Sequence, residues 1–428
     1  MSTIREQAEG ARKGARQLAG LSSSERTVLL RRMAESLREH AGDILQANAL
    51  DLEDAERAES EGGLAPELVK RLRLSEGRVE SLAKGLETLA EMEEPVGKVK
   101  AKRMLGDGLC LEEVTSPIGV LLVIFESRPD ALPQIAGLAI KSGNGLVLKG
   151  GKEASRSNSA IHSALVSAFE GQIPKDTVGL VHTREDIANL LKLDDVIDLV
   201  VPRGSNQLVK HIQENTRIPV LGHADGVCHV YLDEDADMAM ALEIVKDSKL
   251  DYPAACNAME TLLVHRKLYE SGSLTTLLGA LEGIQFQGGC PESRKLGYPE
   301  PEFLHCEWGD SRATLVIVDG LGEAIEHIHK HGSGHTESIV TESEGTAEAF
   351  LAQVDSASVF HNASTRFADG FRDGLGAEVG ISTSRIHARG PVGVNGLLTT
   401  RWLLRGQGHT VTHVKEGKWQ FDWKELNG

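Results

Sequence analysis

Cys256 has the surroundings best suited to chemistry. It lies in Asp251-Tyr252-Pro253-Ala254-Ala255-Cys256-Asn257-Ala258-Met259-Glu260, a small-residue turn just ahead of a strand-like run. Small neighbours leave a sulfur accessible. A thiolate is an intrinsically strong nucleophile whose pKa a nearby dipole can lower. The other four cysteines, Cys110, Cys228, Cys290 and Cys306, read as small buried hydrophobes. Five cysteines, widely spread and never spaced as CxxC, suggest neither a disulfide framework nor a zinc ribbon, and they fit a reducing compartment.

Two strand ends could receive an anion. The run Leu146-Val147-Leu148-Lys149-Gly150-Gly151-Lys152 ends in glycines that let a ligand approach the backbone and lysines that supply charge. At Val200-Val201-Pro202-Arg203-Gly204-Ser205-Asn206 a strand turns into a helix N-terminus, where free N–H groups and the helix dipole favour negative charge. The bland alternatives are a solvated lysine pair and a Ser205 that only caps its helix. No G-x-G-x-x-G follows a strand. The histidine run His327, His329, His331 and His335 invites a metal reading. However, its helical pattern scatters positions 327, 329 and 331 around the axis, so no metal site is assigned.

These residues need elements to hold them. Residues 24–92 read as helical, with Ser24 placed to cap a helix carrying Val28, Leu29, Met33 and Leu37 on one face. From 118 the pattern alternates. Strands are expected at 118–125, 145–149, 177–182 and 196–201, and helices at 132–141, 155–170, 184–193 and 205–215. That alternation predicts a parallel sheet covered on both faces, with ligands at the carboxyl ends of its strands. A second unit begins near 227. Its strands are expected at 227–232, 261–264, 315–318 and 338–340, and its helices at 236–249, 268–281, 321–331 and 346–353. The weak alternation at 410–414 predicts an edge strand or an arm reaching a partner subunit.

Bulk properties narrow the function. A chain of 428 residues exceeds the ~250–300 residues at which one core stops growing. The net charge of −17 argues against a nucleic-acid scaffold, which needs a basic face. The longest apolar run, 118–125, is far short of the ~20 residues that span a bilayer. The first twenty residues mix basic and acidic side chains without an apolar core, so a cytoplasmic protein is expected.

The segment from Asp251 to His265 resembles the catalytic-cysteine segment of γ-glutamyl phosphate reductases, members of the aldehyde dehydrogenase superfamily. His329 to Ile339 and Ala363 to Gly393 resemble two further signatures of those enzymes, in the same order. The resemblance runs from about Leu18 to about Arg405. Around Thr399 to Gly406 it is strongest to the reductase half of the fused pyrroline-5-carboxylate synthases.

The resemblance implies an α/β, aldehyde-dehydrogenase-like fold with two Rossmann-like parallel-sheet domains and a small oligomerisation flap. The expected division is an NADPH-binding domain over 1–226 with flap strands near 105–117, a catalytic domain over 227–398, and an oligomerisation arm and tail over 399–428. On that pattern Lys149 contacts the adenosine ribose and Gly204 and Ser205 meet the pyrophosphate. Lys152 stands where hydrolytic relatives carry a ribose-binding glutamate, which favours NADPH. The implied reaction is reduction of γ-glutamyl phosphate to glutamate γ-semialdehyde through Cys256, with Asn257 and His387 as orienting groups. Arg128, Arg385 and Arg389, beside Ser127, are the expected anchors for an anionic substrate. The water-activating glutamate of hydrolytic relatives is missing from Pro219 to Gly226, consistent with transfer to phosphate rather than water. A homodimer or homotetramer and a separate glutamate 5-kinase are the implied partners. The rivals are another acyl-transferring aldehyde dehydrogenase and a non-catalytic metal-binding relative.

Overall fold

The computed structural model describes residues 3–126, 128–181, 185–204, 206–223 and 225–426, the side chains of Glu67, Glu185 and Asp186 excepted. Five helices open the chain: Ile4–Ala19, Ser23–Glu39, Ala41–Ser60, Pro66–Leu72 and Glu76–Glu91. The second starts earlier than expected. Ser22, not Ser24, is its cap: Glu25 N donates to Ser22 Oγ at 3.3 Å, and Ser22 N donates to Glu25 Oε2 at 2.7 Å. This reciprocal box needs an acid three residues after the cap, which Ser24 lacks.

The first sheet is parallel, in the order Val178–Val181, Gly145–Lys149, Val120–Phe125, Leu199–Arg203. Its central strand Val-Leu-Leu-Val-Ile-Phe is buried along its whole length, because helices cover both faces and no position needs to be polar. Each such side chain contributes roughly 1.5–3 kcal/mol on burial. The helix Ala131–Lys141 covers one face and is itself buried except at the half-buried Gln134.

The second sheet is also parallel, in the order Ser358–His361, Thr336–Val340, Cys228–Leu232, Met259–His265, Arg312–Val318, Gln285–Gly288. Its two edge strands, Ser358–His361 and Gln285–Gly288, have four residues each and no apolar run, and the sequence reading missed them. The helix expected over 268–281 is two helices, Arg266–Glu270 and Ser273–Ala280. Gly272 between them has φ +81°, a left-handed turn that glycine adopts without strain.

A third, antiparallel sheet of Leu398–Arg405, Leu109–Pro117, Val99–Gly106 and Lys424–Leu426 forms the flap. The arm strand therefore lies at 398–405. The 410–414 segment, expected as an edge strand, is instead part of a short helix, Val411–Lys415, capped by Thr410. The chain also returns to its first core late: Ala377, Val379, Val392, Val394 and Leu397 pack into the cluster that holds Leu132 and Leu148. Among the described residues no helix is long and apolar enough to cross a membrane.

Candidate active site

The helix Met238–Leu250 ends just before Cys256, and the strand Met259–His265 begins just after it. Cys256 thus sits at the amino end of a second-sheet strand. His335 immediately precedes the strand Thr336–Val340, and Gly226 lies just before Cys228–Leu232. Cys256, His335 and Gly226 thus gather at the amino ends of second-sheet strands, whereas Lys149 and Arg203 end strands of the first.

The Cys256 loop is pinned from below. Asp251 Oδ2 accepts from Arg366 Nε at 3.0 Å and from Arg372 Nη2 at 3.4 Å, which holds its carboxyl below the usual range. Asn257, expected to orient substrate, is buried; its Nδ2 donates to the Ala368 carbonyl at 2.9 Å and its Oδ1 accepts from Arg366. Both polar ends are thereby used in holding the loop. On the other side a Cβ on Gly226 would come within 2.2 Å of the Cys256 carbonyl oxygen, so only glycine lets these two segments touch.

Two imidazoles face the half-buried Cys256. His223, Cys256 and His335 each bring one ligand atom to within 4.8 Å of the others, and the two rings meet edge to face at 4.7 Å. His223 Nδ1 lies 2.9 Å from the Ile381 carbonyl oxygen, which can only accept, so Nδ1 carries a proton and Nε2 is the lone-pair nitrogen of the neutral ring. His335 is fully buried. Its Nδ1 lies 2.8 Å from Thr336 Oγ1 and 3.7 Å from Cys228 Sγ, while its Nε2 has no hydrogen-bond partner. Cys228 is sealed beneath, its Sγ donating to the Cys256 carbonyl at 3.3 Å, and burial pushes its thiol well up. Neither histidine was singled out in the sequence for work on Cys256. His335 was weighed only within the histidine run, and His223 lies in a stretch read for the glutamate it lacks. The one acid in that stretch, Asp225, accepts from Asn206 Nδ2 at 2.6 Å and lies 3.6 Å from Lys210 Nζ.

The cations fall differently from expectation. Arg385 and Arg389 both pair with Asp355, Arg389 Nη1 at 2.8 Å, and together they hold the Asp355 carboxyl low. Arg128 is exposed; Ser127 lies outside the described residues. Arg203, passed over in the sequence, ends the strand Leu199–Arg203 opposite Phe125. Its Nη1 donates only weakly, to the Glu378 carbonyl at 3.4 Å. Burial lowers its pKa; Glu378 and Cys256 act against that, and Arg128 adds to it. The Glu378 carboxyl is in turn raised by burial, with Arg203 opposing.

At the end of the strand Gly145–Lys149, Lys149 is buried and its Nζ donates to the Gly150 carbonyl, while Lys152 is exposed. A Cβ on Gly150 would lie 2.3 Å from Asn158 Nδ2, and Asn158 Oδ1 is buried without a partner. This orphaned acceptor beside a backbone turn and a lysine suits a ribose hydroxyl. A Cβ on Gly204 would come within 2.5 Å of Oε2 of the exposed Glu126 side chain. Ser205 lies outside the described residues.

The aldehyde dehydrogenase family profile matches residues 2–297. The chain is 55% identical over 412 residues to the Delta-1-pyrroline-5-carboxylate synthase B of Arabidopsis thaliana, covering 96% of this chain and 56% of that one. It is 48% identical over 420 residues to the Gamma-glutamyl phosphate reductase of Prochlorococcus marinus, covering 97% and 95%. The chain thus spans little more than half the length of the synthase and nearly all of the reductase. Among solved structures, the Gamma-glutamyl phosphate reductase of Thermotoga maritima superposes with a TM-score of 0.91 at 36% identity, covering 96% of this chain and 100% of that one.

Proposed function

The chain belongs to the γ-glutamyl phosphate reductases of the aldehyde dehydrogenase family, and from that premise we propose that it reduces L-γ-glutamyl 5-phosphate to L-glutamate 5-semialdehyde, the reductase step of proline synthesis, with NADPH as reductant. The observation that carries the reading is Cys256 set between two imidazoles, in a site whose nearby acid, Asp225, is engaged by Asn206 and Lys210. Such a site makes a thioester and does not activate water against it.

Cys256 Sγ bonds to the acyl carbon as the acyl carbon–oxygen bond to phosphate breaks. The thiol proton passes to an imidazole nitrogen; His335 Nε2, buried and unpartnered, and His223 Nε2, the lone-pair nitrogen, are the candidates. Arg203 and Arg128 supply positive charge for the leaving phosphate or the substrate carboxylate. The Cys256 backbone N–H is the donor for the developing oxyanion. When bound at the first-sheet strand ends, the reduced nicotinamide dinucleotide supplies a hydride. Lys149, Lys152, Gly204 and Ser205 would hold it, Asn158 Oδ1 adding an acceptor for ribose. After reduction the carbon–sulfur bond breaks, Cys256 leaves as thiolate, and the semialdehyde cyclises unaided to pyrroline-5-carboxylate.

A homodimer or homotetramer joined through the flap belongs to the same reading, supported by the exposed Trp402 and Leu404 on the flap's edge strand. A separate glutamate 5-kinase would supply the short-lived acyl phosphate. A cytoplasmic location accords with five free thiols.

The reaction is tested in reverse, with pyrroline-5-carboxylate, NADP and inorganic phosphate. NADPH formation that requires phosphate and disappears in Cys256→Ala is expected. Folded protein that forms no reduced cofactor with NADP or NAD would overturn the assignment.

A further inference from the structure

We propose that His223, Cys256 and His335 also form a reversible binding site for a thiophilic divalent cation, zinc above all, and that the bound ion takes the nucleophile out of use. One sulfur and two imidazole nitrogens form the donor set that zinc favours. With three protein ligands, the fourth tetrahedral position is left to water. Tetrahedral zinc, with Zn–S near 2.3 Å and Zn–N near 2.0–2.1 Å, holds its ligand atoms about 3.3–3.6 Å apart. The three atoms here lie within 4.8 Å of one another, so side-chain rotations closing roughly an ångström complete the site.

A second observation points the same way. His335 Nε2 is fully buried and has no hydrogen-bond partner, an arrangement that costs free energy unless something fills it. Its other nitrogen is already held by Thr336 Oγ1, and His223 Nδ1 is held by the Ile381 carbonyl. Outer hydrogen bonds of this kind orient histidine ligands in metal sites. Half-buried Cys256 leaves an entry path. Of the histidine run only His335 belongs to the site. The step balances simply: the Cys256 S–H bond breaks, a sulfur–metal bond forms and one proton is released, with no change of oxidation state.

The test uses the full chain and the metals alone, and neither readout needs turnover. Failure of the reductase reading would therefore leave it intact. Alkylation of Cys256 by iodoacetamide, followed by peptide mass spectrometry, should slow at least about tenfold with stoichiometric Zn2+ and recover with EDTA. Cys110, in the flap, is the internal reference and should not change. His335→Asn should remove that protection. On the unmodified protein, Co2+ should give a thiolate-to-metal charge-transfer band, lost in Cys256→Ser. Equal alkylation with and without Zn2+, or the lack of a sulfur band with Co2+, would overturn the proposal.

Discussion

Two groups of histidines differ in what their imidazoles meet. His223 and His335 flank the Cys256 sulfur, which is partly open to solvent. His229, His327 and His331 form the other group. His229 Nδ1 lies 2.9 Å from Glu337 Oε2, its ring stands edge-on to His327 at 5.5 Å, and His327 lies 4.7 Å from His331. Both groups contain buried nitrogens without partners. Among the described residues only the first has a partly exposed thiol beside it. The first group sets imidazoles around a thiol, whereas in the second burial lowers the pKa of His327 and His331.

The largest expected effect tests the sulfur: Cys256→Ala should lose turnover by at least about 10³-fold, read from steady-state rates on folded protein. Next, His335→Ala should lower kcat by about 10²–10³-fold, the range of a lost proton-transfer group. His327→Leu, in the other group, should keep kcat at the parent level. Equal losses in the two variants would dissolve the distinction. Arg203→Met, which removes a half-buried cation near Cys256, should cost about 10–100-fold in kcat/KM, equivalent to one charge-assisted contact.

His327 also predicts a pH dependence of stability. Burial, with lesser repulsion from His229 and His331, depresses its pKa to about 3, against an ordinary value near 6.5. The unfolded chain therefore binds the extra proton first. Stability should fall as pH drops from about 6.5 toward 3, by at most about 1.4 kcal/mol per pH unit from this group. Denaturant melts of His327→Leu across that window should show a slope shallower by one proton. The smallest effect belongs to Arg385→Ala. This exposed arginine pairs with Asp355, and its loss should change stability by no more than ~1 kcal/mol. A large rise in KM would instead restore it as a substrate anchor.

The two sheets show why some of this was legible in the sequence and some was not. The first sheet's central strand is apolar without interruption, and such a run, Val120–Phe125, announces a strand buried on both faces. The second sheet buries Glu260, Thr261, Thr336, Glu337 and Ser338. Those polar positions shortened the expected strands to 261–264 and 338–340, against the observed Met259–His265 and Thr336–Val340. Glu260 is buried on Lys249 at 2.8 Å, and burial still raises its carboxyl to about 7, a pairing that local pattern cannot reveal. Cys256 was legible because its whole segment is distinctive. His223 was not, since its orientation depends on Ile381, 158 residues away. Arg203 was hidden for a similar reason: its neighbours come from the Glu378 loop and the Cys256 turn.

A covalent acyl–Cys256 intermediate lies at the centre of the proposed reaction. Its most direct test is a rapid-mixing experiment with pyrroline-5-carboxylate and NADP in the absence of phosphate, followed by intact-protein mass spectrometry. A burst of NADPH close to one per active site is predicted, with an acyl adduct on Cys256 that phosphate then discharges. The absence of an adduct during phosphate-dependent turnover, or a burst that survives in Cys256→Ala, would contradict it.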